Sequence, residues 1–359
     1  MIRIRFIAGI VLALSAYSFA QTPSPTPTDK FSEINSTLKD LEGKGFSGAI
    51  LLAKEGKPVL RRGIGMADRE AKRPNTPETG FDIGSITKVF TSAAVFRLEL
   101  DGKLKETDLL SKYFKDAPPD KANITILQLV THTSGLADLL GPDGVIIKDY
   151  TGEYDYTPVS RDEIIHRAMK SRLLFEPGTK NEYSNTGYSL LAAIIEIASG
   201  QPYEKYVHDK IFKPAGMTHT GYLAPHWKKK DLAVGYVDGK AWGTPLDHAW
   251  LADGPSWNLR GNGGMLSTVD DLLRWSAALR DNRVFSAQER EAYFTAMNVK
   301  KNKRGVRTMG AAGSNDVFTS VTLWVLDEDR LIVIFSNNSR FHAENYAGNI
   351  AGMMLRSGL

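Results

Sequence analysis

The sequence predicts an α/β fold in which strands from both ends of the chain form one antiparallel sheet beside a mainly helical lobe. Two apolar runs of strand length, 46–52 and 58–64, flank a Glu-Gly turn near the start. Two further runs, 318–326 and 331–336, flank an acidic turn near the end. Helical periodicity dominates the residues between them, so the terminal segments are expected to share a sheet that the middle does not enter.

Helical patterns at both ends complete this architecture. Residues 31–41 and about 343–355 are expected to form terminal helices that cover one face of the sheet. Long apolar helical patterns follow Ser85 and Asn185, and shorter helices are predicted in the middle at 126–130, 161–171 and 269–279. Residues 136–160 are rich in Gly, Asp, Tyr and Pro and are predicted to form a surface excursion. The boundary between the lobes is the default place for a ligand cleft.

Composition and charge narrow the possible functions. The chain has 359 residues, 42% of them hydrophobic, and a net charge of +4. That near balance argues against a nucleic-acid partner. The absence of cysteine excludes disulfides and thiolate metal sites, and the seven histidines show no His-x-x-x-His pattern. No cofactor and no metal are therefore expected.

Residues 1–20 have the pattern of a secretory signal. Arg3 and Arg5 precede an apolar run at 6–14 that is too short to span a bilayer comfortably, and small residues end at Ala20. A Pro/Thr-rich linker at 21–30 would follow cleavage and leave one domain at 31–359. We expect a periplasmic or secreted protein with no stable membrane span after cleavage; an uncleaved anchor is the alternative, and the oligomeric state is open.

The most informative stretch of the sequence surrounds Ser85, where an irregular segment ends and an apolar helix is predicted to begin. A hydroxyl there lies near unpaired backbone N–H groups and the positive end of the helix dipole. Lys88, three residues on, shares the same helix face, so its amine can reach the serine oxygen and act as its base if burial lowers the amine pKa. An ordinary capping serine with a solvated lysine is the alternative, and the same spacing recurs at Ser36 and Lys39.

A second polar group precedes the next long helix. Tyr183 and Asn185 form the only Tyr-x-Asn in the chain. A tyrosine near a lysine can carry a proton between nucleophile and leaving group, and an asparagine amide can hold a substrate carbonyl. The alternative is a tyrosine packed at a turn, with Asn185 capping the helix.

The order of motifs is more specific than any one of them. Along the chain come Ser85-x-x-Lys88, His132-Thr-Ser-Gly-Leu, Pro177-Gly178 before Tyr183-x-Asn185, Gly263-Gly-Met-Leu-Ser-Thr and a C-terminal hairpin. Together they resemble the serine β-lactamase and penicillin-binding protein family, in its class C and D-alanyl-D-alanine carboxypeptidase-like branch, which also contains esterases. The resemblance covers roughly residues 31–359. It implies a β-lactamase/transpeptidase-like fold and a small-molecule ester, amide or peptidoglycan-peptide substrate.

The same resemblance implies roles for individual residues. Ser85 would be the acylated nucleophile, Lys88 its hydrogen-bonded partner and base, and Tyr183 the second proton carrier. Asn185 would contact both substrate and lysine. His132 lies in a motif that is mostly structural in the family and is left outside the site.

The third motif of the family is altered. The family has Lys or His, then Thr or Ser, then Gly on the strand at the cleft edge, and the alignment places Ala311-Ala312-Gly313 there. Gly313 retains close backbone approach, but the cation and hydroxyl are missing. The N–H of Ser314 would complete an oxyanion hole with Ser85. Arg260, Arg307 and Arg340 are candidate substitute cations, because each lies in or beside a segment expected to border the cleft.

Three functions follow from these observations. The first is an exported serine acyl hydrolase that forms an acyl-Ser85 intermediate and prefers esters. The second is a D-alanyl-D-alanine carboxypeptidase or β-lactamase acting on peptidoglycan peptides or penicillins. The third is a non-catalytic cell-wall-binding relative with a degenerate third motif, which the intact Ser85, Lys88, Tyr183 and Asn185 set argues against.

Overall fold

The computed structural model describes residues 31–139, 158–222, 225–248, 256–297, 299–301, 304–315 and 317–359. The predicted leader at 1–20, the linker at 21–30 and residues 140–157 of the predicted surface excursion lie outside the described residues. Within those ranges, no helix is long and apolar enough to cross a membrane.

The strands come from both ends of the chain, with short pairings between them. They are β1 Gly48–Lys54, β2 Lys57–Ile64, β3 Met66–Asp68, β4 Arg73–Pro74, β5 Phe81–Asp82, β6 Gly235–Val237, β7 Lys240–Gly243, β8 Leu266–Ser267, β9 Lys300–Lys301, β10 Arg307–Ser314, β11 Thr319–Val325 and β12 Arg330–Ser336. The main sheet has the order β2-β1-β12-β11-β10-β9 and is antiparallel throughout. The prediction that strands from the two chain ends pair in one sheet is confirmed.

The described helices are α1 Ser32–Gly43, α2 Thr87–Leu100, α3 Leu110–Tyr113, α4 Pro119–Ala122, α5 Ile126–Val130, α6 Arg161–Lys170, α7 Asn185–Ser199, α8 Tyr203–Val207, α9 Lys213–Ala215, α10 Val269–Arg280, α11 Ala287–Ala296 and α12 Glu344–Ser357. A π-helical turn, His208–Phe212, joins α8 to α9. The terminal helices α1 and α12 cover one face of the sheet, and the remaining helices form the lobe on the other face.

Both faces of the central strands β1, β11 and β12 are buried, which explains why these strands read as nearly continuous apolar runs. In β1, Leu51 faces the core shared with the helical lobe, whereas Ile50 faces the core under the terminal helices. The register carries this alternation into β12, where Val333 opposite Leu51 joins the first core and Ile334 opposite Ile50 joins the second. A one-residue slip would exchange every side chain between two cores, so the register is strongly specified.

Two buried helices of the middle lobe meet beneath the sheet edge. Helix α2 is buried on almost all sides and packs against α7. The turn that leads into α2 lies against the end of β10, the last long strand toward that edge, and Asn185 at the start of α7 contacts Lys88 in the first turn of α2. This arrangement brings two helix N-termini and the end of one strand to the boundary between the lobes.

Candidate active site

The nucleophile turn, Ile83–Ser85, connects the short strand β5 to helix α2. Strand β5 pairs with β8, and the Ile83 N–H donates to the Met265 carbonyl oxygen at 2.9 Å. Ser85 lies in a 3-10 turn, Gly84–Ile86, that leads directly into α2. Gly84 has φ +47°, and a Cβ placed on it would lie 2.7 Å from the Ser314 nitrogen. The turn therefore needs glycine both for its backbone conformation and for its approach to β10.

Lys88 is fully buried at the centre of the site. Its Nζ donates to Ser85 Oγ at 3.1 Å, to Asn185 Oδ1 at 2.7 Å and to the Asn262 carbonyl oxygen at 2.6 Å. Burial lowers the pKa of Lys88 to about 7, while the negative charge of Asp138 acts in the opposite direction. When the Lys88 amine is neutral, it keeps two hydrogens, which serve the Asn185 and Asn262 oxygens. Its lone pair then faces Ser85 Oγ in place of the third hydrogen.

Tyr183 approaches the same serine from the solvent side. Its hydroxyl donates to Ser85 Oγ at 2.6 Å, and its ring centroid lies 4.7 Å from Lys88 Nζ. The residue is 47% exposed, whereas Lys88 is not exposed at all. A substrate entering from solvent would therefore meet the tyrosine hydroxyl beside the nucleophile, where a leaving group needs a proton.

A neighbouring loop around His132 holds Tyr183 in place. The Glu182 N–H donates to the His132 carbonyl oxygen at 2.9 Å, and the Ser184 N–H donates to His132 Nδ1 at 3.1 Å. The imidazole also packs on the Tyr183 ring with centroids 4.6 Å apart. Burial, followed by the nearby Lys88 charge, lowers the pKa of His132 to about 3, so the ring is neutral at ordinary pH. This supporting position agrees with leaving His132 outside the reacting groups.

Asn185 is held by a carboxylate that sequence reasoning missed. Its Nδ2 donates to Asp138 Oδ2 at 2.8 Å while its Oδ1 accepts from Lys88. Burial raises the pKa of Asp138, and the Asn185 hydrogen bond and the Lys88 charge oppose that rise. The helix cap is Ser184, whose Oγ accepts from the Gly187 N–H at 3.2 Å, so the alternative of Asn185 as the cap is wrong. The amide is thereby left to orient Lys88.

Asp138 and Asn262 differ in whether the sequence could have revealed them as part of the site. Asp138 follows the His-Thr-Ser-Gly-Leu run closely, and its proximity to that motif is the signal that could have found it. Asn262 contributes a backbone carbonyl, which every residue possesses, so residue type gives no signal for it. Its side chain instead fixes the loop by donating to Ser189 Oγ at 2.8 Å.

Strand β10 brings the altered third motif against the nucleophile turn. A Cβ on Gly313 would lie 2.2 Å from the Ile83 carbonyl oxygen and 2.6 Å from the Ser85 nitrogen. The pairing of Gly313 with Ser320 and of Ser314 with Thr319 is consistent with the register used to align the motif. Gly313 and Ser314 thus lie beside Gly84 and Ser85, and Ala311 and Ala312 precede them on the same strand.

The three candidate substitute cations have partners away from this site. Arg307 begins β10, pairs with Asp327 and Glu291 at 2.7 Å each, and is seven residues from Ser314. At roughly 3.3 Å per residue, that separation exceeds 20 Å along the strand. The other two arginines also form ion pairs: Arg340 with Asp238 at 3.2 Å and Arg260 with Glu196 at 3.8 Å. The expectation that one of them replaces the third-motif cation is not supported by these contacts.

Comparisons with known proteins show the family and the fold. A family model described as Beta-lactamase matches residues 34–351. The putative penicillin-binding protein PbpX of Bacillus subtilis is 31% identical over 314 residues, covering 86% of this chain and 74% of the relative. Among solved structures, the octameric penicillin-binding protein homologue from Pyrococcus abyssi has a TM-score of 0.75 at 27% identity, covering 90% of this chain and 76% of that one.

A second solved structure shows the same fold at lower identity. The D-amino acid amidase from Ochrobactrum anthropi, complexed with D-phenylalanine, has a TM-score of 0.72 at 23% identity and covers 92% of this chain and 99% of that one. The family match, the relative and the shared fold lead to one conclusion: this chain belongs to the Beta-lactamase family of serine hydrolases and has penicillin-binding protein-like relatives.

Proposed function

We propose that the protein is an exported serine acyl hydrolase that works through an acyl-Ser85 intermediate. The observation that carries the proposal is that one serine oxygen lies 3.1 Å from a fully buried amine and 2.6 Å from an exposed tyrosine hydroxyl. This combination supplies a nucleophile, a base with lowered pKa and a proton carrier to the leaving group. The secretory pattern at residues 1–20 supports export to the periplasm or the exterior.

Acylation begins with transfer of the Ser85 hydroxyl proton to the neutral Lys88 amine as Oγ attacks the substrate carbonyl carbon. The carbonyl double bond opens, and its oxygen takes the negative charge beside the backbone N–H groups of Ser85 and Ser314. The protonated lysine donates to Asn185 Oδ1 and the Asn262 carbonyl oxygen. The nearby Asp138 charge further favours this cation.

Collapse of the tetrahedral intermediate breaks the bond to the leaving group. Tyr183 delivers a proton to the departing oxygen or nitrogen, and the nearby Lys88 ammonium returns one to the tyrosine oxygen. A water molecule then takes the place of the leaving group. It loses a proton to the same Tyr183–Lys88 pair and attacks the acyl carbon. The bond from that carbon to Ser85 Oγ then breaks, and the pair returns the proton to Oγ as the acid leaves.

A preference for neutral esters is supported by the altered third motif. Ala311 and Ala312 provide neither a cation nor a hydroxyl for a substrate carboxylate. A hydrogen bond to a charged group contributes about 1.5–3 kcal/mol, so its loss weakens binding roughly ten- to a hundred-fold. A neutral ester does not need this contact, whereas the backbone donors of the oxyanion hole do not depend on these side chains.

Cleavage of peptidoglycan peptides or other amides is the second candidate. It is favoured by the relatives, one named a penicillin-binding protein and one fold neighbour a D-amino acid amidase. Such a substrate would use the same acyl-Ser85 chemistry with a nitrogen leaving group. The non-catalytic alternative is disfavoured because a binding protein does not need a buried lysine held against a serine.

Covalent labelling tests the proposal with a matched control in the same chain. A serine-reactive phosphonate should label the native protein and Ser36→Ala, and should not label Ser85→Ala. Ser36 also precedes a lysine by three residues, but it is exposed on α1. Equal labelling of Ser85→Ala and the native protein would reject Ser85 as the nucleophile.

A further inference from the structure

A buried carboxylate outside the mechanism contacts both sides of the proposed oxyanion hole. Asp82 is 1% exposed and lies three residues before Ser85. Its Oδ1 accepts from the Gly84 N–H at 2.7 Å, and its Oδ2 accepts from Asn315 Nδ2 at 2.8 Å. Gly84 belongs to the nucleophile turn, and Asn315 directly follows Ser314 at the end of β10. One side chain thus bridges the segments that carry the two backbone donors.

The other end of this bridge has a fixed orientation. Asn315 Oδ1 accepts from the Val317 N–H at 3.2 Å and from the Phe318 N–H at 2.8 Å. Its backbone N–H donates to the Phe318 carbonyl oxygen at 3.2 Å. Reversing the amide would lose the Oδ1 contacts, so Nδ2 must face Asp82 as a donor. Asp82 is therefore required to present acceptors to both partners, as an ionised carboxylate does.

Keeping this carboxylate ionised costs free energy. Burial raises the pKa of Asp82 to about 7, and the hydrogen bonds from Gly84 and Asn315 only partly offset that rise. A protein with a well-packed neutral residue in place of buried charged groups is often as stable as the original or more stable. Fold stability alone therefore gives little reason for a charge here, whereas precise placement of two segments does.

Other contacts between the same segments show how close they must be. Ser320 Oγ donates to the Ile83 carbonyl oxygen at 2.8 Å. The absence of side chains on Gly84 and Gly313 lets the two backbones approach each other. Glycine permits this approach but does not fix the distance, so a polar bridge has a separate role.

We propose that Asp82 and Asn315 are positioning residues that fix the separation of the Ser85 and Ser314 backbone N–H groups. This inference rests on the proposed acyl hydrolase function. Oxyanion-hole donors act only when they lie about 2.7–3.1 Å from the developing oxyanion. A displacement of roughly 1 Å can cost about a hundred-fold in rate. The bridge would thus affect the transition state more than ground-state binding.

Exchange of the two side chains tests the bridge directly. Asp82→Asn leaves one side-chain oxygen for two donors, the Gly84 N–H and Asn315 Nδ2, and Asn315→Asp sets two carboxyl groups together. The double variant restores one donor facing one acceptor with the net charge unchanged. Each single variant should lower kcat for a p-nitrophenyl ester about 10- to 100-fold with KM changed less than about twofold. The double variant should recover at least about tenfold in kcat.

Thermal unfolding of all three variants separates positioning from folding. If Asp82→Asn does not fold, Asn315→Ser replaces it in the comparison: serine lacks the amide donor that reaches Asp82 but keeps a side-chain oxygen that can accept from the Val317 and Phe318 N–H groups. Native kcat in the single variants would overturn the positioning role while leaving the hydrolase intact. A double variant no faster than the singles, or a rate loss that follows the unfolded fraction, would overturn it equally. A native protein that turns over no ester overturns both this role and the proposed function.

Discussion

Two Ser-x-x-Lys pairs in this chain have the same spacing and opposite surroundings. Ser36 and Lys39 are exposed on α1, which buries its apolar side through Ile34 and Leu38. Ser85 and Lys88 lie at the start of α2, where Lys88 is entirely buried. Both pairs meet the helical requirement for contact between residues three apart.

The difference between these pairs shows that burial, more than spacing, makes the amine a candidate base. Water stabilises the charged form of a solvated amine, which keeps it protonated near neutral pH. Lys88 is removed from that water and is given two oxygen acceptors by residues from distant parts of the chain. In the proposed mechanism, the reactivity of Lys88 therefore depends on α7 and the loop before β8 as much as on α2 itself.

Replacing the two lysines gives the largest expected contrast. Lys88→Met should lower kcat/KM for an ester by about 10²–10⁴, because the acylation base is lost. Lys39→Met should leave the rate unchanged. Steady-state kinetics on both variants, with circular dichroism to verify folding, measure the contrast. Near-native turnover by Lys88→Met would reject its role as base.

Removing the proton carrier should have the next largest effect. Tyr183→Phe keeps the ring packed on His132 but deletes the hydroxyl 2.6 Å from Ser85 Oγ. We expect a rate loss of about 10², measured by stopped-flow separation of acylation from deacylation. Tyr113→Phe, which removes a hydroxyl bonded to Asp108, is the control and should retain native kinetics. Equal rates for the two variants would leave Tyr183 without a chemical role.

Restoring the missing cation should change substrate choice more modestly. Ala311→Lys should shift the kcat/KM ratio of a carboxylate-bearing β-lactam to a neutral ester about ten- to a hundred-fold toward the β-lactam. Ala311→Met has similar length without the charge and should not produce the shift. The cation does not set specificity if the native protein already prefers the β-lactam and the lysine variant leaves the ratio unchanged.

The smallest expected effect is a displacement of the pH profile. The base must be neutral, so kcat/KM should be low in acid and rise as pH passes through about 7, where Lys88 loses its proton. The Asp138 charge favours the protonated amine, so Asp138→Asn should move the rise to lower pH. Initial rates across the pH range measure the displacement. Movement to higher pH would contradict the charge interaction assigned to Asp138.

The residues that sequence analysis brought together are those whose side chains react or bind in the proposed mechanism. Ser85 and Lys88 lie three residues apart at the start of α2, and Tyr183 and Asn185 lie at the start of α7, so motif order was enough to group them. The pairing of the terminal strands in one sheet could also be predicted, because continuous apolar runs such as those of β1 and β12 require burial on both faces.

The side-chain partners that sequence analysis could not predict depend on contacts between segments far apart in the chain. Asp138 meets Asn185 across 47 residues, and Asp82 meets Asn315 across 233. The arginine partners Glu196, Asp238 and Asp327 are likewise fixed by tertiary structure. A residue type shows which hydrogen bonds it can make, but folding decides which partner it meets.

Trapping the acyl-enzyme tests the central claim most directly. The native protein is mixed with a p-nitrophenyl ester, quenched in acid within the pre-steady state and analysed by intact-protein and peptide mass spectrometry. We predict a mass increase of one acyl group, located on the peptide that contains Ser85 and absent from Ser85→Ala. Turnover of the ester with no acyl group on that peptide, or with the same adduct on Ser85→Ala, would contradict the account.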